Sequence, residues 1–355
     1  MKTMLRKMIL CMAVMIPVGL CANDAEYFAR GSHLEPLGEQ DISVKSEVLS
    51  INLGDDGYAT VDVQYVFFNH GPAKTVTMGF EALMPYNTGD SITADARHPY
   101  INDFTVVMND KSLNYRNSLV QPGSLDKPYD PSRDTLPEEA VRYAYAYCFD
   151  AHFVKGENKV HHTYRYNMSF GVGRAFIVPY WLTPASRWRG GKIGDFTLRI
   201  SALNTAKHFV LSESLFHGSR FVITGGKGKI RRNTVYGEDV VEVALRNGTV
   251  EWHGRDFNPN DDIEIISADI MTFFDESSPL GSFYDRGPYY VISYDREVDR
   301  RIARNLPYAS RGYVFKDPKL KRFFGKLWWY MPDPSWKPST ADFTPRELRL
   351  INEGK

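Results

Sequence analysis

Cysteine is the scarcest feature of this chain, with three in 355 residues. Two of them, Cys11 and Cys21, fall in an N-terminal segment where Lys2, Arg6 and Lys7 precede an apolar run from Met8 to Leu20, followed by Ala22 and Asn23. That order is the pattern of a secretory leader, expected over residues 1–22. Cleavage would leave Cys148 alone, which excludes an internal disulfide even in an oxidising compartment, so stability has to come from buried cores. A lipid anchor at Cys21 is disfavoured by the bulky Leu20 before it. No later stretch reaches the roughly 20 apolar residues of a membrane-spanning helix. The expectation is an exported protein, periplasmic or extracellular, with no transmembrane segment and no nucleic-acid partner.

Signature motifs of catalysis are also missing. "TGGKGK" (224–229) lacks a Gly-Lys-Ser/Thr ending and reads as a flexible hairpin turn rather than a phosphate loop. "FGVGRAF" (170–176) lacks the third glycine and the βαβ setting of a dinucleotide site. Neither a Gly-x-Ser-x-Gly elbow nor a His-Glu-x-x-His helix occurs. Asp261-Asp262 stands without the spaced companions that calcium needs and reads as a solvated loop. No cofactor is expected.

Long 3.6-residue periodicity is absent before about Asp295. In "YATVDVQYVFF", Ala59, Val61, Val63, Tyr65 and Phe67 share one face and Thr60, Asp62 and Gln64 the other, the alternation of a half-buried strand. "ISVKSEVLSINL", "KTVTMGF" (after an Asn69-His70-Gly71-Pro72 turn), "FTVVMN", "FTLRISAL", "SRFVITG", "DVVEVAL", "GTVEWHG" and "DIEIISADI" are further strands. The fold class is therefore mainly β: one or two antiparallel β-sandwich domains over 23–275, a linker over 276–292, and a small helical C-terminal domain over 293–353. The Pro-rich stretch from Gln121 to Pro137 is long for an internal connection, a length common in functional loops.

One hairpin can be registered in advance. "YAYAYCFDAHFV" and "KVHHTYRYNMSF" flank Lys155-Gly156-Glu157-Asn158, and a loop centred on Gly156-Glu157 would set Phe153 opposite Val160 and Tyr147 opposite Tyr166, giving an aromatic core face. His162 would join that face as a buried imidazole. His161 would lie across from His152, with Asp150 and Thr163 the next pair, close enough to share a metal or a proton. The alternative is an exposed polar face of the hairpin. Cys148 would fall opposite Arg165, as a structural thiol rather than a nucleophile.

The segments "ISVKSEVLSINL", "VDVQYVFFNHG", "FVKGENKVHHTYRY", "WRGGKIGDFTLRI" and "VEWHGRDFNPNDDIEI" are similar to a family of exported bacterial proteins of unknown function, over most of residues 30–270. The resemblance implies no activity.

Near the C-terminus the period changes. Val298, Ile302 and Leu306 form a helical stripe that Pro307 should kink or end. Asp317-Pro318 announces a second helix burying Leu320, Phe323, Phe324 and Leu327, and Thr344-Pro345-Arg346-Glu347 is a capping box opening a third that buries Leu348 and Ile351. Residues 291–355 hold 14 Lys and Arg against 8 Asp and Glu, a net of +6, whereas residues 23–290 hold 26 against 35, a net of −9. That asymmetry fits an anionic partner or docking of the tail on the body. Phe315, Phe323, Trp329 and Tyr330 are expected to form the core of so small a module, leaving Arg311, Lys316, Lys319, Lys321, Arg322 and Lys326 outside and Trp328 as the exposed tryptophan.

"RRIARNLPYASRGYVF", "LKRFFGKLWWYMPDP" and "FTPRELRLIN" resemble the YARHG domain, a small module of bacterial proteins taken to be extracellular, over about 293–353. Tyr308, Ala309 and Gly312 match its signature; Ser310 stands where the family has arginine and Arg311 where it has histidine. The molecular function of that family is not known; a binding role at the envelope is an inference, with Tyr308, Arg311, Gly312, Lys316, Lys321, Arg322 and Trp328 as the candidate binding residues. Two functional readings result. One is a non-catalytic envelope protein that binds a wall polymer or another exported protein; the other is a metal-dependent or acid/base hydrolase using His152, His161 and Asp150. The absence of catalytic motifs favours the first.

Overall fold

The computed structural model describes residues 31–353 apart from 33, 37–39, 55, 84–94, 122–123, 129–143, 172–173, 204–207, 218, 236–237 and 268–296. The leader, Cys11, Cys21, the 276–292 linker and most of the Pro-rich stretch lie outside the described residues.

In chain order the strands are β1 (Gly31–Ser32), β2 (Glu35–Pro36), β3 (Ile42–Leu53), β4 (Tyr58–Asn69), β5 (Lys74–Leu83), β6 (Ile101–Met108), β7 (Lys111–Ser112), β8 (Arg116–Gln121), β9 (Ser124–Pro128), β10 (Ala144–Phe153), β11 (Gly156–Asn167), β12 (Ser169–Gly171), β13 (Arg174–Trp181), β14 (Ile193–Ala202), β15 (His208–Ser212), β16 (Val222–Val235), β17 (Glu238–Phe257) and β18 (Ile263–Ser267). Three helices follow: α1 (Glu297–Ser310), α2 (Pro318–Gly325) and α3 (Pro345–Glu353). The chain is mainly β, as its alternating pattern requires.

Two sheets form. The larger has the order β1-β13-β18-β15-β17-β14-β3-β4-β11-β6-β7, with β12 beside β13 and β16 beside β17; the smaller is β2-β5-β10-β8-β9. Pairing is antiparallel except for β1 with β13 and β3 with β14, which are parallel. In β4 the sequence alternation becomes an alternation of burial, with Val61, Val63, Tyr65 and Phe67 at 1% exposure or less, and β3 follows it with one slip at Lys45–Ser46, where its pairing with β4 shifts register. The two sheets pack face to face through aromatic contacts: Phe80 of the small sheet lies 4.6 Å from Tyr164 of the large one, and Phe67 lies 5.7 Å from Phe153 and 4.5 Å from Trp188. Burying each such ring contributes about 1.5–3 kcal/mol.

The expected β10–β11 hairpin does not form. β10 pairs with β5 and β8 in the small sheet, while β11 pairs with β4 and β6 in the large one. Residues 154–155 thus carry the chain from one sheet to the other, and so does the Asn69-to-Pro72 turn between β4 and β5. The two crossings lie side by side, with Gly156 opposite Asn69 and Phe153 opposite Lys74. Each is closed by a fully buried asparagine. Asn158 accepts from the Val154 N–H at 2.9 Å and donates to the Val154 and Gly156 carbonyls at 2.8 and 3.0 Å, satisfying the groups a hairpin ladder would have used. Asn69 accepts from Gly71 N–H at 3.0 Å and donates to the Pro72 carbonyl at 2.8 Å.

"TGGKGK" is likewise not a turn. It lies inside β16, whose pairing with β17 shifts register between Thr224 and Gly228. A Cβ on Gly226 would come within 2.2 Å of the Asn247 carbonyl oxygen, so the glycine is there because two backbones meet.

Candidate functional site

The C-terminal module is assembled by its signature motif. α1 runs through Pro307 to Ser310 rather than ending at the proline. The Pro307 carbonyl accepts from Ser310 Oγ at 2.9 Å and from Arg311 Nη1 at 3.0 Å. Ala309 is buried, and Tyr308 packs edge-on against Phe343 at 4.9 Å. Gly312 has φ of +85°, and a Cβ there would lie 2.5 Å from the Met331 carbonyl oxygen.

Arg311 corrects the expectation of a surface cation: it is 8% exposed. Its guanidinium donates to both carboxylate oxygens of Glu347 at 2.8 Å, donates to the Asp342 carbonyl at 2.6 Å, and stacks 4.7 Å over Phe343. Glu347 performs two tasks. Its carboxylate also accepts from the Thr344 N–H at 2.9 Å while Thr344 Oγ1 accepts from the Glu347 N–H at 3.2 Å, the capping box read from the sequence. The role missed was the ion pair, which the capping pattern hid. Tyr308 and Arg311 are thereby a clasp between the end of α1 and the start of α3, while Gly312 meets the backbone at Met331 and Asp333.

α2 begins as its sequence requires. Asp317 Oδ1 accepts from the Lys319 and Leu320 N–H groups at 2.9 and 3.0 Å, and Arg301 donates to the other oxygen at 2.7 Å. The two cap hydrogen bonds and this guanidinium hold the Asp317 carboxyl below its usual range. Leu320 and Phe324 are buried, with Phe315 stacked on Phe324 at 4.6 Å; Phe323, Leu327 and Tyr330 are partly buried around them.

The aromatic stretch Trp328-Trp329-Tyr330 docks the module on the outer face of β15, β17 and β16. Trp329 is 3% exposed and meets His208 edge-on at 5.0 Å. Trp328, expected to be exposed, is half-buried with the Arg231 guanidinium 4.3 Å above its ring. Lys229 Nζ donates to the Tyr330 carbonyl at 3.0 Å, Arg246 pairs with Asp333, and Ala244 joins the module's apolar cluster. The body supplies the cations of this joint and the module supplies the acceptors. Docking therefore leaves the module's excess positive charge uncompensated. Lys316, Lys319, Lys321, Arg322 and Lys326 are all exposed, and among the described residues no carboxylate pairs with any of them.

The histidine cluster expected in the body is not assembled, because its two strands belong to different sheets. His152 faces Thr75, with Nδ1 3.2 Å from Thr75 Oγ1, and Asp150 accepts from Thr77 Oγ1 at 2.7 Å. His161 instead lies 2.8 Å from Asp62. His162 is fully buried, 3.5 Å from the Tyr65 hydroxyl, as its aromatic face required. Cys148 sits beside Arg116 and not Arg165; burial raises its pKa, and Ser118 Oγ is 3.8 Å from its sulfur. Asp262 takes the Leu182 and Thr183 N–H groups at 2.9 and 3.0 Å and is occupied as a cap. Among the described residues no group of three or more His, Cys, Asp or Glu side chains could hold a metal ion. No helix there is long and apolar enough to cross a membrane.

Residues 292–355 match the model of the YARHG domain. A crystal structure of a proposed nutrient-binding protein from Legionella pneumophila superposes with a TM-score of 0.53 and 20% identity, over 94% of this chain and 100% of its own. At that identity the likeness shows the fold alone. An M1 zinc metallopeptidase from Deinococcus radiodurans covers 65% of this chain and 43% of its own, at 9% identity, but its TM-score of 0.30 supports no argument. No curated protein matches the sequence.

Proposed function

We propose that the chain is an exported, non-catalytic binding protein of the cell envelope, and that the cationic face of its helical module holds an anionic wall polymer. The observation that carries this reading is the set of five exposed cations, Lys316, Lys319, Lys321, Arg322 and Lys326, left without carboxylate partners while the aromatic stretch is spent on docking. Clustered uncompensated cations raise the local concentration of a polyanion and bind it in a salt-dependent way. The leader-like N-terminus, the YARHG domain and the fold shared with a protein proposed to bind nutrients all support an exported binding role. The division into a β-body over 23–275, a linker and a module over 293–353 belongs to the same proposal. Of the candidate residues, Lys316, Lys321 and Arg322 would touch the polymer, with Lys319 and Lys326 beside them. Tyr308, Arg311, Gly312 and Trp328 hold the face in place.

Co-sedimentation of the mature protein with isolated cell-wall sacculi at low and high salt tests the reading. Pelleting that is lost at high salt, and lost in a K319Q/K321Q/R322Q variant, is the expected result. Pelleting indifferent to both salt and variant would remove the polymer. Crosslinking of the same face to another exported protein, without pelleting, would replace it with a protein partner.

A further inference from the structure

A second candidate site is lined entirely by residues of the body. Between the residues leading out of β15 and the strand β16 are two adjoining cavities, of about 920 and about 340 Å³. Both are lined by Glu213 and Arg232, whose ion pair at 2.5 Å forms the wall they share. The smaller has an apolar floor of Phe216, Phe221, Ile230 and Val241, with Arg220 and Arg231 at its rim. Arg231 is committed to Glu242 and to Trp328. Arg220 is exposed, and among the described residues no carboxylate pairs with it. Past the Glu213–Arg232 wall the larger cavity changes sign: Glu238, Asp239 and Asp261 line it.

A groove with a cation and an apolar floor at one end and carboxylates at the other is complementary to a ligand that carries both charges at its extremities. A single amino acid would place its ammonium and carboxylate on the same carbon, too close to use the two ends. A short peptide separates them, each residue adding up to about 3.3–3.6 Å. β16 pairs only with β17 among the described strands, so one edge of its backbone is available to an extended chain.

We infer that this groove binds a short peptide with free termini, its C-terminal carboxylate at Arg220, its last apolar side chain on Phe216 and Phe221, and its N-terminal ammonium toward Asp239 and Asp261. The site is independent of the polymer-binding reading, since none of its residues lies in the module. It makes the body a peptide-binding unit.

Isothermal titration calorimetry of the whole mature protein with the tripeptide Ala-Ala-Leu, its C-terminal amide and its N-acetyl form tests the inference. The free tripeptide is expected to bind, the amide at least tenfold more weakly, and the acetylated form more weakly by a smaller factor. Arg220→Gln should weaken the free tripeptide to the level of the amide, and K319Q/K321Q/R322Q should leave it unchanged. Because Arg220 is exposed, folding is not at stake, and unaltered circular dichroism would confirm that. No binding of the free tripeptide, or equal binding of the amide, would overturn the inference. Equal binding of the acetylated form would overturn the assignment of the acidic end.

Discussion

The β-body and the helical module solve the same problem with different means. The body buries a continuous cluster of aliphatic and aromatic side chains drawn from both sheets, and its corners need only neutral amides, Asn69 and Asn158, to satisfy the crossing backbone. The module spans about 60 residues, too few to bury much apolar surface. It is closed by a charged clasp instead, Arg311 on Glu347. The Arg311 of the signature motif is therefore, in this chain, part of an internal fastening, and the lysines and Arg322 on and beside α2 stay at the surface.

The sharpest way to break this comparison is to remove one half of the clasp. Arg311→Met should destabilise the module by about 3–5 kcal/mol, because Glu347 is left charged and buried. Hydrogen exchange should show faster exchange in α1 and α3 with the body strands unchanged. Adding Glu347→Gln, which keeps the cap but removes the charge, should recover most of the loss. If Arg311→Met leaves exchange of the module as it was, the clasp is not what holds it.

A smaller effect is expected at the body's corner. Asn158→Ala strips the Val154 N–H and carbonyl of their partners and should cost about 1–3 kcal/mol. A melt should register this in the body, with the two sheets opening at that end first. Smaller again is the acid limb of the module. Asp317 has its carboxyl pKa lowered in the folded state, so its contribution is present above the ordinary value of 3.8 and is lost as the pH falls through the lowered folded value. Asp317→Asn should flatten that limb in an acid titration followed by tryptophan fluorescence, and an unchanged limb would assign it elsewhere. Least of all, K319Q/K321Q/R322Q should not shift the melting temperature, since these side chains make no ion pairs among the described residues. A lower melting temperature would mean the cationic face is structural.

Much of the fold was legible because alternation is a local property. β3 spans Ile42–Leu53, the residues its pattern marked, and the caps of α2 and α3 were written in Asp317-Pro318 and Thr344-Pro345-Arg346-Glu347. What alternation cannot carry is the identity of the partner strand. A hairpin and a crossing between sheets share the same alternation and the same turn residues, and only the buried contacts of Asn158 with Val154 distinguish them. The His152 and His161 constellation failed for that reason alone. Arg311 was misplaced by a related blindness: its partner Glu347 is 36 residues away and already had a local explanation as a cap. Pro307 was read as a break because its own local rule says so, yet α1 continues to Ser310.

The parallel join of β3 with β14 also bears on the order in which the protein is made. β3 lies between β4, its immediate successor, and β14, whose Ile193 is set opposite Val44 after the intervening strands have been synthesised. Until residue 202 has emerged, one edge of the central strand has no neighbour, and an uncovered edge invites pairing with other chains. So long-range a closure makes for slow folding.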